Sequence, residues 1–152
     1  MTIGPPDYFL PETGLVLSQL LIVRDVDRSR EFYQGVLGAD VVRERNPCVL
    51  RFYNGYIVIN GEGGPTDDKP DVQASAPVDS RTLSSAMNIR VTDIQTVFHE
   101  WRARGATFLT EPKEHPLETR CYLRDPDGYL IEVGQGTGIL QQLDQRAPGT
   151  GS

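Results

Sequence analysis

Long apolar runs are missing from this chain. None of its 152 residues falls in an uninterrupted apolar stretch of roughly 18, the length a membrane-spanning helix needs. Basic residues are few and scattered. Lys and Arg total 15 against 21 Asp and Glu, no cluster of them occurs, and the net charge is −6. That balance excludes the basic face that nucleic-acid phosphates require. The N-terminus, MTIGPPDYFLPETG, has neither the basic start nor the apolar stretch of a secretory signal. Cysteine is limited to Cys48 and Cys121, too few for a disulfide framework. These absences predict a cytoplasmic protein with neither a nucleic-acid nor a membrane partner.

What is present is an internal repeat. Cys48 to Ile59 reads CVLRFYNGYIVI and Cys121 to Glu132 reads CYLRDPDGYLIE. Cys, Leu, Arg, Gly and Tyr coincide at equal spacing. Upstream, Leu21-Ile22-Val23-Arg24-Asp25 stands against Ile89-Arg90-Val91-Thr92-Asp93. Each segment reads as a strand ending in Asp. A helical stripe follows in each copy: Val26, Phe32, Tyr33, Val36 and Leu37, then Ile94, Val97, Phe98 and Trp101. Both stripes stop at Gly-Ala, where Gly38 and Gly105 supply a left-handed closing residue. Short apolar strands follow at 40–42 and 107–109.

The fold class is therefore α+β: two tandem βαβββ modules, at 16–60 and 85–134, forming an open curved sheet around a cavity. Residues 61–84, rich in Gly, Pro, Asp and Ser, read as a linker. Both modules belong to a single domain at 15–138, with tails at 1–14 and 139–152. Ile139, Leu140 and Leu143 could form a short docking helix.

Much of the repeat has a structural explanation. Asp25 and Asp93 stand where a carboxylate caps a helix. Asp125-Pro126-Asp127-Gly128 is turn chemistry. Cys48 and Cys121 read as small core residues, since no His stands near either in sequence.

Val23-Arg24-Asp25-Val26-Asp27-Arg28-Ser29-Arg30-Glu31-Phe32-Tyr33, followed by Val36-Leu37-Gly38, resembles the first-module signature of glyoxalase I, fosfomycin-resistance and bleomycin-resistance proteins. Asp125-Pro126-Asp127-Gly128-Tyr129-Leu130-Ile131-Glu132 resembles their second-module ending. The chain is thus similar, over about 16–134, to the vicinal oxygen chelate superfamily of glyoxalases, bleomycin-resistance proteins and extradiol dioxygenases. The resemblance implies a homodimer, a small-molecule ligand and a four-cornered metal cage. Its first-strand ligands stand seven residues before the junction Asp, and its last-strand ligands four after the turn Gly. Those counts fall on Ser18, Ala86, Ile59 and Glu132. Only Glu132 is a usual ligand for a divalent ion. The expectation is therefore no metal and no other cofactor. Gln19 neighbours Ser18 but points to the opposite face of a strand. His99 lies off the apolar stripe of its helix. His115 lies in a loop that could fold over the cavity, and either Gln19 or His115 could rebuild a metal site.

Strand parity assigns Ser18, Leu20 and Ile22, with Ile59, to an apolar half of the cavity. Ala86, Asn88 and Arg90, with Glu132, form a polar half, and Arg120 and Tyr122 line the rim. Arg90 stands where glyoxalase I binds its substrate's carboxylate; it either clamps an anion or pairs with a structural acid. Asn88 is about 6.6 Å from the Ala86 corner at roughly 3.3 Å per residue, which makes it the direct neighbour of Glu132. The expected function is binding or sequestering a mostly apolar, drug-sized ligand or natural product without the usual metal. The alternatives are a metal-dependent lyase, isomerase or dioxygenase with displaced ligands, or a metal-free enzyme with Glu132 as general base.

Overall fold

The computed structural model describes residues 14–136. The docking helix expected around Ile139, Leu140 and Leu143 lies outside them. The chain divides into two compact units, Met1–Ser80 and Arg81–Ser152. No helix among the described residues is long and apolar enough to cross a membrane.

The first unit contains β1 (Ser18–Val23), α1 (Val26–Gly35), β2 (Asp40–Arg43), β3 (Cys48–Phe52) and β4 (Gly55–Gly61). Its sheet order is β1-β4-β3-β2. The second contains β5 (Met87–Arg90), α2 (Ile94–Ala103), β6 (Thr107–Phe108), β7 (Lys113–Glu114), β8 (Glu118–Arg124) and β9 (Leu130–Gly136). Its sheet order is β5-β9-β8-β6, with β7 also on β8. In each unit the first strand runs parallel to the last. Such a pair needs a crossover, which the helix supplies.

The junction residues act as caps. Asp25 accepts from the Arg28 amide at 3.1 Å, and Asp93 from the Thr96 amide at 3.1 Å and the Thr96 hydroxyl at 2.8 Å. Both helices close on a left-handed glycine, Gly38 at φ 84° and Gly105 at φ 105°. After Gly38 the Ala39 amide reaches back to the Tyr33 carbonyl at 2.9 Å, the bond that ends a helix in this way.

β3 is fully buried at three successive residues, Cys48, Val49 and Leu50; elsewhere alternation along the strands builds one buried face per sheet. In the first unit it carries Leu21, Val23, Leu50, Ile57 and Ile59; in the second, Leu123, Ile131 and Val133. Tyr33 of α1 and Phe98 and Trp101 of α2 are buried with them. Cys48 and Cys121 are buried and unpaired. Burial pushes the Cys121 thiol up to about 11.

The segment read as a linker contains an ordered excursion. Gly63 and Ala74 exchange amide–carbonyl bonds at 3.0 and 2.9 Å. The Ala76 amide donates to Glu62 at 3.1 Å, and Arg24 ties the end of the excursion to the first unit through the Pro77 carbonyl at 2.7 Å.

The repeat holds at the level of elements but slips at one hairpin. In the first unit Phe52 pairs with Gly55, so two residues make the turn. In the second, Arg124 pairs with Leu130, so five do. There Asp125 accepts from the amides of Asp127 and Tyr129, each at 2.9 Å, and Gly128 takes φ 93°. Equal spacing in sequence therefore does not mean equal register. Cys48 pairs with Ile59, whereas Cys121 pairs with Val133. The counterpart of Glu132 is Val58, not Ile59.

Candidate functional site: the polar face of the second sheet

The register of β5, β9 and β8 brings polar residues onto one face. Asn88 pairs with Glu132, and Glu132 with Tyr122. The next row is Arg90, Gly134 and Arg120, and the next pair is Gly136 and Glu118. Every second residue of each strand points the same way, so these side chains share the face opposite Leu123, Ile131 and Val133.

Glu132 is the hub of the first row. Asn88 Nδ2 donates to its Oε1 at 2.9 Å, and the Tyr122 hydroxyl donates to its Oε2 at 2.6 Å. The carboxylate is only 20% exposed, so an ionised Glu132 needs such donors. The Asn88 bond is the one strand geometry anticipated. The Tyr122 phenol is held above its ordinary 10.0, because ionising it would break its bond to Glu132 and set two negative charges side by side.

Glu118 is the hub of the second group. Arg90 Nη1 donates to its Oε2 at 2.7 Å and Arg120 Nη1 to its Oε1 at 2.9 Å. These two cations hold the Glu118 carboxyl below its ordinary range, Arg120 more than Arg90. Arg90 Nη1 also stands 3.8 Å from Glu132 Oε1 and so joins the two groups. Of the two roles open to Arg90, the structure shows the pairing with an acid. Its Nε is buried without a hydrogen-bond partner among the described residues.

Glu118 and Gly134 were not identified from sequence. Glu118 sits at the end of a Pro-containing segment that reads as loop, yet it opens β8. The signal was its alternation with Arg120 and Tyr122. Gly134 lies two residues beyond Glu132 and so shares its face.

The remaining candidates sit as follows. Ala86 is half-buried, one residue before β5. In the first unit Ser18, Leu20 and Ile22 pair with Tyr56, Val58 and Asn60. Leu20 is 55% exposed, whereas Leu21 and Val23 are buried, so the expected alternation of β1 holds. Ile59 must be reassigned. It pairs with Leu21 and is fully buried, on the core face and not with Leu20. The physical reason is the shorter hairpin, which moves every β4 side chain one position relative to the count from the turn glycine. Gln19 pairs with Ile57 without a register break, on the face opposite Ser18. His99 is exposed on α2. His115 is exposed, and its backbone amide donates to the Glu118 carbonyl at 2.7 Å.

A depression of about 250 Å³ opens at the N-terminus of α1, lined in part by Asp25, Asp27 and Arg45. Its acids are engaged locally, Asp25 as the cap and Asp27 with Arg30 at 2.9 Å and with Arg45.

The donor set does not fit the cage of the vicinal oxygen chelate fold. Register corrects its four positions to Ser18, Val58, Ala86 and Glu132. Valine and alanine have no donor atom, and a serine hydroxyl is a weak ligand while protonated. The one carboxylate already accepts a hydrogen bond on each oxygen. A catalytic ion ordinarily takes three protein ligands. Among the described residues no three His, Cys, Asp or Glu side chains stand together as a metal cluster.

Known proteins share this architecture. Over 126 residues the chain is 26% identical to a lactoylglutathione lyase of Neisseria meningitidis serogroup A, covering 79% of this chain and 89% of that protein. TioX from Micromonospora sp. ML1 matches with a TM-score of 0.67 at 18% identity, covering 81% of this chain and 99% of its own. TnmS3, an antibiotic binding protein from Streptomyces sp. CB03234, matches with a TM-score of 0.59 at 18% identity, covering 81% and 98%. Residues 15–133 fit the sequence pattern of one family, and the chain belongs to the Glyoxalase/Bleomycin resistance protein/Dioxygenase superfamily.

Proposed function

We propose that this protein binds a mostly apolar, drug-sized organic molecule without the superfamily's metal, and that the polar face of the second sheet holds the ligand's polar end. The observation that carries this reading is the saturation of both carboxylates. All four oxygens of Glu118 and Glu132 already accept hydrogen bonds from protein donors. Arg90 and Arg120 balance the two negative charges. What remains unspent among the described residues is donor capacity: a second Nδ2–H on Asn88 and further N–H groups on both arginines. Such a face suits a neutral acceptor oxygen, such as a carbonyl, on a largely apolar body. The similar fold of TnmS3, an antibiotic binding protein, supports the same reading.

Glu132 as a general base is less well supported. To take a substrate proton it would have to exchange Tyr122 or Asn88 for the substrate, since a base must lie within hydrogen-bond reach of the proton it removes.

Thermal-shift screening against polycyclic aromatic antibiotics tests the binding reading, because a ligand that binds only the native state raises its stability. Glu132→Gln should keep the fold, since the amide has the same shape. It should weaken the identified ligand tenfold or more, about 1.4 kcal/mol. Small charged metabolites that stabilise the protein when no aromatic compound does would overturn this function. So would a Glu132→Gln variant that binds as wild type.

A further inference from the structure

Gly134 is buried in the middle of β9, between Arg90 on β5 and Arg120 on β8. Glycine weakens a strand interior unless something must come close to the backbone. Its backbone conformation does not require glycine: the left-handed glycines are Gly14, Gly38, Gly105 and Gly128. The reason lies above it. A Cβ at this position would overlap Arg90 Nη1 and stand 2.6 Å from Arg90 Cζ and 3.2 Å from Nη2. Those are the three nearest atoms, and all belong to one guanidinium. At the matching position of the first unit, where Ile22 replaces the arginine, the chain has Asn60.

We propose that Gly134 is a positioning residue for Arg90: the missing side chain is the space in which the guanidinium lies across β9 to reach Glu118. Glycine here lets one cation cross a whole strand and tie β5 to β8 through a side chain. Any larger residue lifts the guanidinium off the strand, breaks the 2.7 Å bond to Glu118 and moves the charge away from Glu132. This follows from the ligand-free geometry. It rests on the binding reading only for its functional consequence, which is that Gly134 sets where the face offers its donors.

The test is a double-mutant cycle on the full chain without ligand, so its failure is distinct from failure of the binding reading. Gly134→Ala should lower Tm by several degrees in the wild-type background. In the Arg90→Ala background the same substitution should leave Tm unchanged or raise it, because alanine suits a strand better once nothing occupies the space. The ionisation of Glu118, followed by carbon NMR of its carboxyl group, should move upward both in Gly134→Ala and in Arg90→Ala. Equal loss of Tm in both backgrounds would overturn the proposal, as would an unmoved Glu118 titration. If Gly134→Ala alone does not fold, a double variant as stable as Arg90→Ala supports the proposal. A double variant that also fails to fold overturns it.

Discussion

In the first unit the row crossing β1, β4 and β3 reads Leu20, Val58, Val49; in the second, the row crossing β5, β9 and β8 reads Asn88, Glu132, Tyr122. One row further, Ile22 and Asn60 stand where the second unit has Arg90 and Gly134. The buried faces show no such contrast. Leu21, Ile59 and Cys48 form a row matched by Ile89, Val133 and Cys121. The same ladder of backbone bonds is thus built with or without the polar set. The fold does not demand Asn88, Glu132, Tyr122 or Arg90. A polar, charge-balanced network costs desolvation that an apolar row avoids, and it is in the second unit alone that this cost is met, the face on which the proposed function rests.

The sharpest way to break this correspondence is to move a carboxylate into the first unit. Ile59→Glu follows the count from the turn glycine, and Val58→Glu follows the strand register. Ile59 is fully buried beside Leu21, so a glutamate there is an unpaired buried charge. It should cost on the order of 4 kcal/mol and leave little folded protein. Val58 is only half-buried and pairs with exposed Leu20. Val58→Glu should cost about 1 kcal/mol. Urea denaturation of the two variants decides, and equal costs would mean that the register correspondence is wrong.

A smaller effect comes from Glu118. Arg120 and Arg90 hold its carboxyl below the ordinary 4.5. Because the folded-state value is depressed, the stabilisation is fully present above the unfolded value near 4.5. It is lost as pH falls through the folded value. Wild type should therefore exceed Glu118→Gln by about 1 kcal/mol at neutral pH, less at high salt, and the gap should close under acid. The first unit offers no such pair in the corresponding rows. A gap that persists below pH 3 or so would mean that the charge of Glu118 is not what stabilises.

Sequence carried the elements and one face well, and it failed where loop geometry decides. Periodicity found both helices, and the Asp and Gly at their ends marked the caps because capping chemistry is local. Parity placed Asn88, Arg90 and Glu132 together because alternation is a property of any strand. The error at Ile59 arose because turn length is not a periodic signal: Tyr53-Asn54 and Asp125–Tyr129 align by their glycines yet differ in how many residues leave the ladder. Glu118 was missed because Pro116 nearby reads as loop. Gly134 was missed because a glycine announces room without saying what fills it. Only the course of the Arg90 side chain supplies that.

The smallest effect sharpens the comparison at a single hydroxyl. Tyr122 donates to Glu132 Oε2 at 2.6 Å. Removing the phenolic proton would lose that bond and place a phenolate against a carboxylate, so the phenol is held above 10.0, although Arg120 pulls the other way. A folded value raised above the unfolded one stabilises fully below the unfolded value and is lost as pH rises through the folded one. The contribution of this bond should therefore vanish in strong alkali, not in acid, opposite to Glu118. Of the six tyrosines, Tyr122 is isolated by the spectral difference between wild type and Tyr122→Phe, whether by ultraviolet absorbance or by carbon NMR of the phenol. In Glu132→Gln the neighbour is neutral and still accepts through its amide oxygen. The penalty on the phenolate then falls, and Tyr122 should titrate closer to 10.0 than in wild type. If its titration is the same in both, the carboxylate and the phenol do not share a proton-donating bond in solution. The first row of the polar face would then reduce to Asn88 and Glu132 alone.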